Sequence, residues 1–264
     1  MPKVLILGID GVRFDALSAA TTPGIHALGQ AGFLAPVKID DATPSWSGPC
    51  WATVATGVTV AEHGIWENNL TGHRLADHPD FLTTATRAGL TTFAAVSGWP
   101  PLATGGDGGP LFAEVSRREF VPAADPHGVA AWEAADEQVT TLTEQALTAA
   151  QAPDVSFVYL GAVDITGHEL GAGPAYRGAV RNADHRAGRI ISAIRGRADA
   201  AGWTIIAVTD HGHLDQGGHG GREPEVVTAW AAAAGPHISP AAPPAITRHT
   251  DIAPLIAAAL QASS

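Results

Sequence analysis

The sequence predicts a single α/β domain built on a mainly parallel central sheet with helices on both faces. Two observations carry that expectation. Five short runs are mainly apolar and rich in branched residues, the pattern of strands buried on both faces of a parallel sheet. Long helical stretches alternate with these runs, and such alternation builds parallel sheets with helical crossovers. The length of 264 residues suits one large unit spanning 1–264 better than several domains.

The first run, Val4 to Ile9, stops at Asp10. The stretch from Thr43 to Trp51 then brings hydroxyl groups up to an apparent helix over Ala52 to Gly57. Further strands are expected at Thr91 to Val96, Val155 to Leu160, Thr204 to Val208 and Val226 to Ala231, and helices over roughly Gly128 to Ala149 and Ala175 to Ala200. The glycine cluster Gly105 to Gly109 reads as a plain loop, because no strand precedes it and its spacing is not G-x-G-x-x-G. Gly235 to Pro244 reads as a second loop, and nothing in the chain repeats.

Composition narrows the class. Hydrophobic residues make up 45% and charged residues 16% of the chain, as in globular proteins. The formal charge of −11, with no Lys/Arg-rich stretch, excludes a binder that neutralises a nucleic-acid polymer. Cys50 is the single cysteine, so no intramolecular disulfide forms. No stretch approaches the roughly 20 apolar residues of a membrane span, and the opening apolar run meets Gly8 and Asp10 too soon for a secretory segment, so a cytoplasmic protein is expected.

Ligands of open α/β sheets bind outside the carboxyl ends of the strands, and three acidic residues are expected there: Asp10, Asp164 and Asp210. One such Asp alone reads as a cap or turn residue. Three of them with His168, His211 and His219 read as metal ligands, since carboxylate and neutral imidazole suit zinc or a similar divalent ion. Asp164 and His168 stand four residues apart with Gly167 easing the chain between them. Asp210 and His211 follow a buried strand, where unpaired charge is costly. Glycines on both sides of His219 permit close backbone approach, with a flexible loop as the alternative. Ser47 is the candidate nucleophile: a helix N-terminus favours an anionic oxygen, and a coordinated metal lowers the hydroxyl pKa. The plainer reading is that Ser47 caps that helix.

These segments resemble the alkaline phosphatase superfamily of metalloenzymes, and most closely its type I phosphodiesterase/nucleotide pyrophosphatase branch. The likeness rests on Ile-Leu-Gly-Ile-Asp10-Gly-Val, Ser47-Gly-Pro, Thr56-Gly57, His63-Gly64-Ile65, Asp164-x-x-x-His168, Thr-Asp210-His211-Gly and Gly-Gly-His219-Gly-Gly, in the family's order. The resemblance implies an alkaline-phosphatase-like fold and two divalent ions, zinc first, with manganese or another ion as alternatives. It implies that Asp164, His168 and His219 hold one ion, and that Asp10, Asp210, His211 and Ser47 hold the other. By the same resemblance Asn68 helps bind a phosphoryl oxygen. The branch commonly uses Thr as nucleophile with an Asn-His pair after it, whereas this chain has Ser47 and Cys50-Trp51. The segment 69–153 is short beside relatives with large cap domains, which implies an open site or a small lid. Trp46, Trp51, Trp66 and Trp99 are candidates to line it, with burial in the core as the alternative for each.

The activity expected is hydrolysis of small-molecule phosphodiesters or nucleotide pyrophosphate bonds through a phosphoserine intermediate. A phosphomonoesterase is the nearest alternative, because extra cationic groups on the same centre would meet the added phosphate charge, and Arg222 stands just after the His219 loop. A phosphonate hydrolase or phosphomutase ranks below it, and a non-catalytic metal-binding protein last. The sulfatase maturation motif, Cys or Ser followed by x-Pro-x-Arg, is absent at both Cys50 and Ser47. Oligomeric state is not legible.

Overall fold

Alternate residues of the first strand enter different cores: Val4 and Ile6 join one apolar cluster, Leu5, Leu7 and Ile9 the other. A strand covered on both faces must read as a continuous apolar run, and this one does. The structure, a computed structural model, describes residues 2–261. Its elements run β1 (Lys3–Ile9), α1 (Pro23–Ala31), β2 (Phe33–Lys38), α2 (Ser47–Thr56), α3 (Val60–His63), α4 (Phe81–Arg87) and β3 (Thr92–Ser97). Then come α5 (Pro100–Ala103), β4 (Arg117–Val121), α6 (Val129–Thr148), β5 (Val155–Leu160), α7 (Ala162–Leu170), α8 (Pro174–Arg195), β6 (Trp203–Val208), α9 (Pro224–Val227), β7 (Thr228–Ala234) and α10 (Ile252–Gln261).

The seven strands are ordered β2-β7-β6-β1-β5-β3-β4. The five from β6 to β4 are parallel, with β1 pairing β5 and β6. Strand β7 runs antiparallel to both β6 and β2. Helices α2, α4 and α10 pack on one face with Trp51, Phe81 and Ile256, and α1, α6, α7 and α8 pack on the other with Ile25, Val139, Val163 and Ile190. The fold is thus the mainly parallel, doubly covered sheet expected. No helix among the described residues is long and apolar enough to cross a membrane.

Three details depart from the sequence expectation. The run from Val226 begins as a helical turn started by Pro224, and the strand proper is shifted to Thr228–Ala234. Helix α8 stops at Arg195 with Gly196 at its C-cap, five residues before Ala200. Two strands, β2 and β4, went unforeseen, and both lie at the sheet's edges, where one flank needs no partner and polar residues are tolerated. Pro36, inside β2, is admissible only at such an edge. The segment 69–153 supplies β3 and β4 to the sheet together with α4, α5 and α6.

Candidate metal centre

The three acidic residues come from three adjacent parallel strands. Asp10 directly follows β1, Asp210 stands two residues past β6, and Asp164 lies in the first turn of α7, which begins just after β5. Asp164 and His168 therefore share one helix face at i and i+4, and the chain does not bend at Gly167. Gly167 has a different reason to lack a side chain: a Cβ there would come within 2.7 Å of the His213 ring. The start of α7 is held by buried Asp136, which accepts hydrogen bonds from the N–H groups of Gly161 (3.0 Å) and Ala162 (3.1 Å) and from the Ser97 hydroxyl (2.5 Å).

One donor cluster joins Asp10, Asp210 and His211, all fully buried. Asp10 Oδ2 accepts from Tyr159 Oη (2.6 Å) and Trp51 Nε1 (2.9 Å), and Asp210 Oδ1 accepts from the N–H groups of Gly11 (3.1 Å) and His211 (2.9 Å). Their other oxygens, Asp10 Oδ1 and Asp210 Oδ2, are buried without a hydrogen-bond partner. Both face His211 Nε2, at 3.6 and 3.2 Å, and Ser47 Oγ lies 3.3 Å from the same nitrogen. His211 Nδ1 donates to the Gly212 carbonyl (3.1 Å), which leaves a lone pair on Nε2 pointing at two carboxylates. Four ligands about 2.1 Å from a zinc ion stand roughly 3.4 Å from one another, so these spacings fit a cation between them.

The second cluster joins Asp164, His168 and His219. Asp164 Oδ2 is 3.5 Å from His168 Nε2, which is 3.0 Å from His219 Nε2. His219 Nδ1 donates to the Ser45 carbonyl (2.7 Å), so its Nε2 lone pair is also turned inward. The rings of His211 and His219 stack with centroids 3.7 Å apart, placing the two clusters side by side.

Sequence reasoning passed over two residues that hold these side chains, His213 and Tyr159, and named a third, Trp51, only as a candidate to line the site. His213 Nε2 lies 2.8 Å from Asp164 Oδ1, opposite the oxygen that faces His168, while Tyr159 and Trp51 clamp Asp10. His213 had a visible signal, two positions after His211, but Tyr159 sits inside a strand run and carries none. Trp51 belongs to the core, edge-on to Phe157 (5.8 Å), and Trp99 is packed partly buried against Tyr159 (6.3 Å). Trp46 and Trp66 are exposed.

Ser47 is the first residue of α2, and the preceding Trp46 makes no side-chain cap. The Ser47 hydroxyl thus faces the cluster and does not cap the helix. Asn68 Oδ1 accepts the Gly48 N–H at 2.8 Å, which turns its amide NH2 away from the helix. Gly48 permits this approach, since a Cβ there would lie 2.6 Å from the Glu67 carbonyl oxygen and 2.9 Å from Asn68 Cα.

Burial dominates the centre's electrostatics, with the neighbouring charges second. Burial, then the charge of Asp164, pushes the Asp10 carboxyl up to about 8, against the pull of the Tyr159 and Trp51 hydrogen bonds. Burial and the two neighbouring carboxylates raise Asp210 well above its ordinary range. Burial raises Asp164 too, but the His213 hydrogen bond and the nearby imidazoles outweigh it and hold that carboxyl below its ordinary value. Burial keeps His211 and His219 neutral, the form in which imidazole binds metals. A divalent cation would reverse the penalty on both raised carboxyls.

Residues 4–220 match the family described as type I phosphodiesterase/nucleotide pyrophosphatase. Human ectonucleotide pyrophosphatase/phosphodiesterase 5 is similar in structure with a TM-score of 0.74 at 17% identity, over 98% of this chain and 95% of that one. The murine counterpart, in an inactive form in complex with AMP, gives 0.60 at 22% identity over 80% of this chain, which spans only 57% of its length. The phosphonate monoester hydrolase of Agrobacterium radiobacter gives 0.71 at 17% identity, over 99% and 74% of the two chains. At these identities the structural likeness establishes the fold. No curated protein matches the chain.

Proposed function

The chain belongs to the type I phosphodiesterase/nucleotide pyrophosphatase family of metal-dependent hydrolases, and from that premise we propose that it cleaves small-molecule phosphodiesters through a phosphoseryl intermediate on Ser47. One observation carries the reading: two buried carboxylate oxygens without partners converge with the Ser47 hydroxyl on the inward lone pair of His211. Asp10, Asp210 and His211, with Ser47 beside them, are the residues to hold one divalent ion, and Asp164, His168 and His219 the other. Zinc suits this oxygen and nitrogen donor set, with manganese as the alternative. Two such ions, when bound, supply Lewis acidity at phosphoryl oxygens and lower the pKa of a coordinated hydroxyl.

Ser47 Oγ is the attacking atom. This hydroxyl, 3.3 Å from His211 Nε2, would have its pKa lowered by an ion held by Asp10, Asp210 and His211, so that its proton is lost to solvent and the leaving alkoxide is protonated by water. The Ser47 oxygen forms a bond to phosphorus as the leaving alcohol departs from the opposite side. Water then cleaves that bond and restores the hydroxyl. The amide NH2 of Asn68, oriented by the Gly48 N–H, donates to a nonbridging phosphoryl oxygen, a contribution of the oxyanion-hole type.

Diesters are favoured over monoesters because, among the described residues, the hollow beside the centre has no Lys or Arg in its lining to meet the second phosphate charge. Arg222 is engaged by the carbonyls of Ile39, Asp40 and Thr43 and by Asp41, away from the cluster. The test is turnover of 4-nitrophenyl phosphate against bis(4-nitrophenyl) phosphate, with and without chelator. Faster cleavage of the diester, abolished by chelation, is expected. Ser47→Ala should lose turnover while retaining metal; a Ser47→Ala variant as active as wild type refutes the covalent route.

A further inference from the structure

We propose that Arg222 is a positioning residue of the centre: its guanidinium straps the glycine-rich loop that carries His219 to the stretch leading into Ser47, so that one metal ligand and the nucleophile are placed together. The inference rests on the diesterase reading above and gives a role to a cation which that reading leaves without one.

Neither of the two segments is regular structure. Gly217, Gly218, Gly220 and Gly221 surround His219, and the first three have φ of 93°, 81° and 106°, so this loop has the most backbone freedom to lose. Residues 39–46, between β2 and α2, belong to no helix or strand. Arg222 Nη1 donates to the Asp40 and Thr43 carbonyls, each at 3.1 Å, and Nη2 to the Ile39 carbonyl (3.4 Å) and Asp41 Oδ1 (3.0 Å). The Asp41 side chain is 80% exposed, and an ion pair so placed contributes little. The weight of the strap therefore lies on three main-chain carbonyls of one irregular segment. A planar fork with five donors can meet them together, which the point charge of a lysine cannot.

The strap closes around chemically committed groups. Arg222 stands three residues past His219, and Ser45 two residues before Ser47. Between them the segments meet again, where buried Ser45 donates its hydroxyl to the Gly221 carbonyl (2.8 Å) and receives His219 Nδ1–H on its own carbonyl (2.7 Å). The second of these bonds is the one that turns His219 Nε2 inward. A Cβ at Gly220 would lie 2.3 Å from Trp46 Nε1, so the loop also touches the residue directly before the nucleophile. Without the guanidinium this pairing rests on Ser45 alone, and the His219 imidazole loses its fixed relation to Ser47. Asp10 and Asp210 are held from elsewhere, by Tyr159, Trp51 and the Gly11 N–H, and do not depend on the strap.

The test combines zinc competition against a chromogenic chelator with steady-state cleavage of bis(4-nitrophenyl) phosphate, and circular dichroism confirms the fold. Arg222→Ala should weaken one of two zinc ions roughly 10- to 100-fold, the usual size for loss of a group that orients a ligand, and leave the other within about twofold. Its kcat should fall about tenfold with KM nearly constant, since Arg222 supports the reacting groups and does not bind substrate. Arg222→Lys should resemble Arg222→Ala, and Ser45→Ala, which removes the hydroxyl tie to Gly221, should weaken the same ion; these two variants decide the matter if Arg222→Ala does not fold. Wild-type zinc affinity and kcat in Arg222→Lys overturn the proposal, because any surface charge would then serve. So does equal weakening of both ions in a folded variant, or a raised KM at unchanged kcat, which would make Arg222 a substrate contact. If the zinc-loaded wild type cleaves no diester, the diesterase reading falls, while the zinc competition still decides whether Arg222 supports one metal site.

Discussion

Replacing His213 by Phe should weaken one of two bound metal ions and leave the other in place. The substitution keeps a buried ring in the space that Gly167 provides but removes the Nε2–H that holds Asp164 Oδ1 at 2.8 Å. Asp164 presents its other oxygen, Oδ2, toward His168, so losing the donor frees the carboxylate to rotate out of the ligand position. A hydrogen bond to a charged group contributes roughly 1.5–3 kcal/mol, which at about 1.4 kcal/mol per decade is a loss of roughly 10- to 100-fold in affinity. Loss of a group that orients a ligand typically has the same size, about 10- to 100-fold. Zinc competition against a chromogenic chelator, with circular dichroism to confirm folding, should show one site weakened and one unchanged, since His213 Nε2 hydrogen-bonds Asp164 and, among the described residues, none of Asp10, Asp210 and His211. His213→Gln, whose amide nitrogen reaches the same position, should recover most of the affinity. Two unchanged sites in His213→Phe, or equal weakening of both in a folded protein, refutes the assignment.

Two further outcomes follow from named contacts. Gly48→Ala places a methyl 2.6 Å from the Glu67 carbonyl oxygen, a backbone atom that cannot swing aside, and so displaces Asn68; kcat on a diester should fall about 100-fold, as for loss of one oxyanion donor, with zinc content unaltered, and activity within twofold of wild type would exclude a part for Asn68. His63 is buried, its Nδ1 accepts the Ile65 N–H (3.0 Å) and its Nε2 meets the Thr53 hydroxyl (3.1 Å), so burial, then the charges of Arg74 and His78, bring its pKa down to about 4. Because the folded value lies below the unfolded one, this stability is complete above about pH 6.5 and is lost as pH falls toward 4; the loss amounts to about 3 kcal/mol at 1.36 kcal/mol per unit. Urea midpoints of wild type and His63→Gln at pH 7 and 4.5 should converge at the lower pH, and a constant difference would show that His63 does not titrate in this range.

Periodicity reveals strands only where burial is symmetrical, and that decides what of the fold was legible. β1, β3, β5 and β6 have every residue buried or nearly so, and their sequences are mainly apolar, interrupted by Lys3, Thr92, Ser97, Ser156 and Thr204. β4 reads Arg-Arg-Glu-Phe-Val with only its last residue buried, and β2 contains Pro36 and ends on exposed Lys38, so neither departs from loop composition. Their strand character is conferred by the neighbour each pairs with, a property of tertiary structure. The direction of β7 was equally hidden, because an alanine-rich run has the same appearance in a parallel or an antiparallel ladder.

That the candidate ligands meet in space was legible for a topological reason. Strands β6, β1 and β5 are neighbours in space yet lie some 150 and 200 residues apart in the chain, so a metal-binding reading had to assume that three separate strand ends meet. That assumption was sound because parallel strands must all discharge at one edge, and acidic residues at three such ends are then forced together and require a compensating charge. The same logic could not reach Tyr159 or His213. They act on the second oxygen of each carboxylate, and the need for a donor at Asp10 Oδ2 or Asp164 Oδ1 arises only once the other oxygens are committed. A sequence displays the residues that bind; the ones that aim them are specified by which oxygen of each carboxylate is left over, and that is settled by packing.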